Sequence, residues 1–195
     1  LEFRRVLFRS MNGLGDAIRH ARYHVNNEPF AILLGDTLVK SDEGPVTKQL
    51  IKVYEKYKSS VVALEEVKPE LVHRYGIIDG MQVSENIFKA SDWIEKPSPE
   101  EAPSNLAVAS RYIFTPEIFD YLEKIEPGKN NEVQLTDAMR KMVKHHAMYG
   151  MKFNGKRYDI GNKMGFLKTN IEFGLHDPEI GESLKAWLKD FAKDL

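Results

Sequence analysis

The chain has 195 residues, 42% of them hydrophobic and 29% charged, and its 28 basic and 29 acidic side chains leave a formal net charge of -1. This balance is typical of a globular domain with its own core, and it provides no global positive field for a nucleic-acid backbone. The lack of cysteine excludes disulfides and thiolate metal sites, and no apolar run reaches the roughly 18 residues of a membrane span. We therefore expect a cytoplasmic protein with neither a nucleic-acid nor a membrane partner.

Residues 1–10 differ in character from the rest of the chain. Arg4, Arg5 and Arg9 stand between apolar residues, and the pattern changes at Met11. The segment has neither the apolar region nor the small-residue cleavage site of a secretory signal. We interpret residues 1–10 as linker-like or non-native sequence and residues 11–195 as one domain.

Strand-like apolar runs alternate with helix-like periodic segments along the chain. The first predicted strand, 30–34, is a continuous apolar run, which is typical of a strand covered on both faces. The predicted elements in chain order are helix 17–24, strand 30–34, helix 47–58, strands 60–64, 75–79, 87–95 and 106–114, helices 116–124 and 136–144, strand 148–153, and helices 163–175 and 182–195. This alternation predicts a layered α/β domain with right-handed crossovers.

Two aspartates follow extended segments. Asp36 comes directly after strand 30–34, where the carboxyl end of a strand in an open α/β sheet reaches the ligand crevice. A carboxylate there suits Mg²⁺, which is usually bound by one or two protein carboxylates and fills its remaining coordination positions with phosphate oxygens and water. Asp159 ends a short extended segment before helix 163–175 and would complete a two-carboxylate site. The alternatives are a turn aspartate at 36 and a helix-entry loop at 159.

Two further motifs carry possible binding groups. Glu95 could accept hydrogen bonds from sugar hydroxyls, and Lys96, held by Pro97, could present its ammonium to a phosphate. A surface ion-pair turn is the alternative. The Gly13-Leu14-Gly15 turn could let the backbone approach a base, or it could simply start a helix. No zinc-hydrolase, nucleophile-elbow or P-loop motif is present in the sequence.

The order of these motifs resembles the UTP–glucose-1-phosphate uridylyltransferase family, and the resemblance covers residues 11–195. The matching stretches are 13–15, 28–36, 74–78, 95–97, 102–107, 132–138 and 155–162. The resemblance implies a Rossmann-like, three-layer α/β nucleotidyltransferase fold with a mixed central sheet. It also implies Mg²⁺-dependent transfer of UMP from UTP to glucose 1-phosphate, giving UDP-glucose and pyrophosphate, by a full-length protein that forms a homo-oligomer.

The resemblance further implies a role for individual residues. They are Gly15 as the backbone contact to uracil, Asp36 and Asp159 as the Mg²⁺ carboxylates, Gly76 and Glu95 as glucose contacts, and Lys96 as the phosphate contact, with Lys96 and Asp36 acting in catalysis. The ion and Lys96 would offset the repulsion between two anions and stabilise charge that develops on the α-phosphate.

The sequence departs from the family pattern in two places. Asp16 stands where many members have histidine, which leaves the detail of base recognition open. The Gly-rich loop of the family's first βα unit is absent, so we expect a fold lacking that unit, exposed apolar sheet surface and an inactive fragment of an enzyme. The alternatives are a thymidylyltransferase acting on the same sugar phosphate and a non-catalytic fragment that binds sugar nucleotide.

Overall fold

The computed structural model describes residues 12–128 and 131–194, so the segment 1–10 lies outside the described residues. The chain forms two compact units. The first unit is the described part of Leu1–Leu33 together with Ser41–Asn154, and the second is Leu34–Lys40 together with the described part of Gly155–Leu195. Every helix in the described part of the chain is too short or too polar to span a membrane.

Helices and strands follow one another closely in both units. In chain order they are α1 (Leu14–Arg19), α2 (Arg22–Val25), β1 (Phe30–Leu33), β2 (Thr37–Lys40), α3 (Val46–Tyr57), β3 (Ser60–Glu66), a 3-10 helix (Pro69–Arg74), β4 (Gly76–Ser84), β5 (Ile87–Glu95), β6 (Leu106–Phe114), α4 (Ile118–Leu122), α5 (Leu135–Met142), β7 (Met148–Lys152), β8 (Lys156–Asp159), α6 (Lys163–Leu175), α7 (Gly181–Phe191) and a 3-10 helix (Ala192–Asp194).

The first unit is built on a mixed sheet of six strands in the order β1-β6-β3-β7-β5-β4. The β3–β7 pair is parallel, and β6 runs antiparallel to both β1 and β3. The mixed sheet that the sequence resemblance implies is therefore confirmed.

Helix α5 shows why the helices of this unit form where they do. Leu135, Ala138, Met139 and Met142 recur at the spacing of one helix face, and all four are buried. The helix packs against β5, whose Trp93 is fully buried. Burial of this apolar stripe positions the first turn of α5 beside the end of β5.

Strand β1 is a correction to the sequence analysis. Its continuous apolar run predicted a strand covered on both faces, but among the described strands β1 lies at the edge of the sheet and pairs with β6 alone. Ala31 and Leu33 are exposed and alternate with half-buried Phe30 and Ile32. This alternation of exposed and half-buried residues is that of a strand covered on one face. The sequence pattern did not show it, because the residues at the exposed positions are also apolar.

The second unit consists of a two-stranded antiparallel sheet, β2 with β8, followed by α6 and α7. Asn162 begins α6 as its N-cap, and its side-chain oxygen accepts a hydrogen bond from the Gly165 N–H at 2.8 Å. In this unit β2 is a strand that the sequence analysis did not predict. It has only four residues, and its partner lies far away in the chain.

Candidate functional site

The pairing of β2 with β8 brings Asp36 and Asp159 together. Thr37 lies directly opposite Asp159 in the ladder, and the Asp36 carbonyl accepts a hydrogen bond from the Ile160 N–H at 2.9 Å. The buried Thr37 hydroxyl donates to Asp36 Oδ1 at 3.3 Å. Two carboxylates that are distant in sequence therefore stand at the same end of this small sheet.

Gly161 leaves an open position between the two carboxylates. A Cβ at this residue would lie 3.3 Å from Asp36 Oδ2 and 3.4 Å from Asp159 Oδ1. The Gly161 N–H also donates to Asp159 Oδ1 at 3.0 Å, which orients that carboxylate. Two hard oxygens around one side-chain-sized space fit a divalent cation such as Mg²⁺.

The described residues contain no group of three or more His, Asp or Glu side chains that could hold a metal ion. A cation at Asp36 and Asp159 would therefore need further oxygen ligands. Mg²⁺ commonly completes its coordination with water and substrate phosphates, so a pair of carboxylates is a sufficient protein contribution.

A second cluster lies in the first unit, where β4 begins and β5 ends. Gly76 and Glu95 are direct cross-strand partners, so the two residues that the sequence resemblance assigns to the sugar are adjacent. A Cβ at Gly76 would lie 3.4 Å from Glu95 Oε2 and 3.2 Å from Thr136 Oγ1. The absence of a side chain at Gly76 keeps one side of the Glu95 carboxylate open.

Thr136 is the residue that the sequence analysis missed. It lies in the first turn of α5, and its hydroxyl donates to Glu95 Oε2 at 2.6 Å. Such a hydrogen bond to an ionised acceptor is short and strong. Thr136 lies within the matching stretch 132–138, so the resemblance could have drawn attention to it. Its place at the start of a predicted helix did not reveal that its hydroxyl meets the Glu95 carboxylate.

Asp137 follows Thr136 in the same turn. Burial raises the pKa of the Asp137 carboxyl, and the nearby negative charge of Glu95 raises it further. The carboxyl groups of Asp137 in α5 and Glu95 in β5 therefore lie close together, and the Thr136 hydroxyl donates to that of Glu95.

Lys96 has a backbone conformation that is unusual for its residue type. Its φ is +47°, in the left-handed region, and its N–H donates to the Tyr75 carbonyl at 3.0 Å. Its ammonium lies 3.5 Å from Glu95 Oε1 on a half-exposed side chain. A non-glycine residue held in this region costs about 1–3 kcal/mol and is often found at functional sites.

Gly15 lies at the start of α1 and is buried. Its N–H donates to the Val133 carbonyl at 2.8 Å, and a Cβ there would lie 2.7 Å from that same oxygen. The position therefore requires glycine for packing. The uracil contact at Gly15 stays a prediction, and it would use a backbone atom other than this N–H.

Asp16 is also buried in α1. Its carboxylate forms an ion pair with Arg19 and accepts a hydrogen bond from Asn12 Nδ2 at 3.3 Å. The departure from the family pattern at this residue therefore has a local role, since Asp16 joins successive turns of the chain beside the Gly13-Leu14-Gly15 motif.

The model of the nucleotidyl transferase family matches residues 4–173. The chain belongs to the nucleotidyl transferase family. This membership agrees with the α/β fold and mixed sheet of the first unit, and it confirms the fold class that the sequence resemblance implies.

Curated members of the family include close relatives of the chain. It is 48% identical over 181 residues to a UTP–glucose-1-phosphate uridylyltransferase from Staphylococcus epidermidis, an alignment that covers 93% of this chain and 62% of the relative. It is 47% identical over 182 residues to the enzyme of the same name from Staphylococcus haemolyticus, covering 93% and 63%. The chain thus spans less than two thirds of these relatives.

Solved structures of family members share the fold. A UDP-glucose pyrophosphorylase complexed with UDP-glucose is 42% identical with a TM-score of 0.78, covering 93% of this chain and 64% of that one. A UTP-bound UDP-glucose pyrophosphorylase from Acinetobacter baumannii is 31% identical with a TM-score of 0.81, covering 92% and 62%. A Bacillus anthracis structure named as a glucose-1-phosphate thymidylyltransferase is 21% identical with a TM-score of 0.65, covering 82% and 60%, and shares the fold alone.

Proposed function

We propose that this chain carries the sugar-phosphate and metal sites of a UTP–glucose-1-phosphate uridylyltransferase. The whole protein would transfer UMP from UTP to glucose 1-phosphate and release pyrophosphate. The observation that carries the proposal is the Gly76–Glu95 pair, with Thr136 on the Glu95 carboxylate, in a chain 48% identical to relatives of that name.

Glu95 and Lys96 would bind the two ends of glucose 1-phosphate. The Glu95 carboxylate accepts hydrogen bonds, and Gly76 leaves room beside it for hydroxyl donors of a sugar ring. The adjacent Lys96 ammonium is a compact point charge that can turn from Glu95 to a phosphate. Adjacent positions in the chain therefore provide an acceptor for the sugar and a cation for its phosphate.

Asp36 and Asp159 would hold Mg²⁺. When bound, the ion would polarise phosphate oxygens and offset charge on the leaving pyrophosphate. The protein's own part is to aim two carboxylate oxygens at one point, with Asp159 Oδ1 oriented by the Gly161 N–H and Asp36 Oδ1 by the Thr37 hydroxyl. Asp36 would thus act in catalysis through the ion.

The nucleotide would be UTP, and Gly15 would contact its uracil through the backbone. The alternative base, thymine, is favoured by no contact among the described residues, and the thymidylyltransferase likeness at 21% identity supports only the fold. We also expect the protein to be cytoplasmic and the whole protein to form a homo-oligomer.

Calorimetric titration of this chain with glucose 1-phosphate tests the sugar-phosphate site. We expect binding that Glu95→Gln and Lys96→Ala each weaken, while Glu85→Gln, which removes the same charge from an exposed turn, leaves it unchanged. Equal binding of glucose 6-phosphate, or equal loss in the Glu85 variant, would contradict the assignment.

Pyrophosphate release from UTP, glucose 1-phosphate and Mg²⁺ tests the reaction. In the whole protein we expect turnover that Asp36→Asn abolishes and that falls when dTTP replaces UTP. Turnover that survives Asp36→Asn would remove that carboxylate from the mechanism, and equal rates with dTTP would contradict the choice of base.

A further inference from the structure

The carboxylate of Glu172 holds strand β8 at two successive positions of one face. Lys156 Nζ donates to both Glu172 oxygens at 2.6 Å, and the Tyr158 hydroxyl donates to Glu172 Oε1 at 2.7 Å. Because side chains alternate along a strand, Lys156 and Tyr158 point to the same side of β8 and Asp159 points to the other. We call Glu172, Lys156 and Tyr158 the β8 clamp.

Ring contacts reinforce the β8 clamp. Tyr158 is buried, and its ring meets Phe173, the next residue of α6, edge-on with centroids 5.1 Å apart. The Lys156 ammonium lies 4.8 Å from the centroid of the Tyr158 ring. The Tyr158 side chain is therefore fixed by both its hydroxyl and its ring.

The chain from β8 to α6 is anchored at two places. Asn162 caps the start of α6, and Glu172 lies near the end of that helix and holds β8. Asp159 lies between these anchors, and its carbonyl leaves no space for a side chain at Gly165. Rotation of β8 about its axis would redirect the Asp159 carboxylate, and the β8 clamp opposes that rotation.

We propose that Glu172 is a positioning residue that directs the Asp159 carboxylate toward a bound divalent cation, an inference that rests on the proposed metal site. Groups that orient metal ligands without touching the metal commonly change metal affinity about 10–100-fold when they are removed. Glu172 acts through the backbone of β8, and it need not contact substrate.

Mn²⁺ provides a direct probe, because free and bound Mn²⁺ are distinguished by electron paramagnetic resonance. The measurement compares the unaltered chain with Glu172→Gln, Tyr158→Phe and a control, Glu182→Gln. The control removes the same charge from α7, where the Glu182 side chain is 94% exposed. Among the described residues, the ion pair of Glu182 is with Lys185 of the same helix. It therefore reports the effect of charge alone.

We expect Glu172→Gln to weaken Mn²⁺ binding about tenfold. Tyr158→Phe, which leaves net charge unchanged, should weaken it less, and Glu182→Gln should leave it nearly unchanged. All dissociation constants are measured well below the melting temperature of each variant, so that a loss of stability alone does not change them. Tyr158→Phe keeps the test decisive if Glu172→Gln does not fold.

Unaltered Mn²⁺ affinity in both β8 clamp variants, with binding lost in Asp159→Asn, would overturn this inference and leave the proposed metal site standing. Equal weakening in Glu172→Gln and Glu182→Gln would also overturn it, since net charge would then explain the effect. If Mn²⁺ binding by the unaltered chain is insensitive to Asp36→Asn and Asp159→Asn, the proposed metal site itself fails, and the inference fails with it.

Discussion

Asp36 Oδ2 and Asp159 Oδ1 both lie within 3.4 Å of the point where a Cβ of residue 161 would stand. Glycine at this position therefore keeps the space between the two carboxylates open. The backbone of Gly161 also contributes, because its N–H donates to Asp159.

A methyl group at residue 161 tests this relationship. We expect Gly161→Ala to weaken Mn²⁺ binding several-fold with little loss of stability, because the Cβ would contact both carboxylates. Gly35→Ala is the matched control, since a Cβ there meets nothing within 4 Å. Paramagnetic resonance gives the affinity, and equal binding by the two variants would show that the space is not used.

The Thr136 hydroxyl tests the sugar-phosphate site. Thr136→Val keeps the shape of the side chain and removes the donor to Glu95, a hydrogen bond to a charged group worth about 1.5–3 kcal/mol. We expect about a tenfold loss of glucose 1-phosphate affinity by calorimetry, since 1.4 kcal/mol corresponds to a factor of ten. Thr136→Ser retains the donor and should restore most of the affinity, and equal weakening by both variants would point to packing instead.

Lys96 separates backbone strain from charge. Lys96→Ala and Lys96→Gly both remove the ammonium, so both should lose glucose 1-phosphate affinity to the same extent. Because φ is +47°, the glycine variant should be more stable than the alanine variant by about 1–2 kcal/mol in urea denaturation. Equal stability of the two variants would show that the left-handed conformation carries no cost.

Gly150 is a packing position in the centre of β7. A Cβ there would lie 2.9 Å from Ile78 Cδ1 and closer still to Leu64 Cδ1, and both neighbours are buried. We expect Gly150→Ala to destabilise the fold by about 1–3 kcal/mol in urea denaturation. The smaller side chain of Leu64→Val should recover part of that loss in the double variant, and simple additivity of the two substitutions would contradict direct contact.

The β8 clamp predicts a pH dependence of stability. Hydrogen bonds from Lys156 and then from Tyr158 lower the pKa of Glu172 below its ordinary value of about 4.3. A carboxylate with a lowered folded-state pKa stabilises the fold above the unfolded-state pKa, and this stabilisation is lost as the pH falls through the folded-state value. The melting temperature of Glu172→Gln should therefore lie below that of the unaltered chain at pH 7.

The same difference in melting temperature should close as the pH falls below the ordinary pKa of a glutamate, about 4.3, and through the lower folded-state pKa of Glu172. Thermal unfolding followed by circular dichroism at several pH values measures it. Glu182→Gln serves again as the control and should show a small difference at every pH. A gap for Glu172→Gln that persists at low pH would indicate that the charge of this carboxylate is not what stabilises the fold.

Several of the local elements follow from the amino-acid sequence alone. Strands 87–95 and 106–114 and helix 163–175 were predicted with the bounds that the structure shows. These segments have periodicities and boundary residues that depend on near neighbours in the chain. The family resemblance, carried by short motifs in a fixed order, likewise required no knowledge of which motifs meet.

Which of these residues face one another depends on how the whole chain folds. The β2–β8 pairing places Asp36 beside Asp159, the start of α5 brings Thr136 to Glu95, and α6 brings Glu172 to β8. Strand register and helix docking arise from burial of surfaces contributed by distant parts of the chain, so no local pattern encodes them. Strand β1, which lies at the edge of the sheet among the described strands, shows the same limit, because its apolar run does not reveal which face the fold covers.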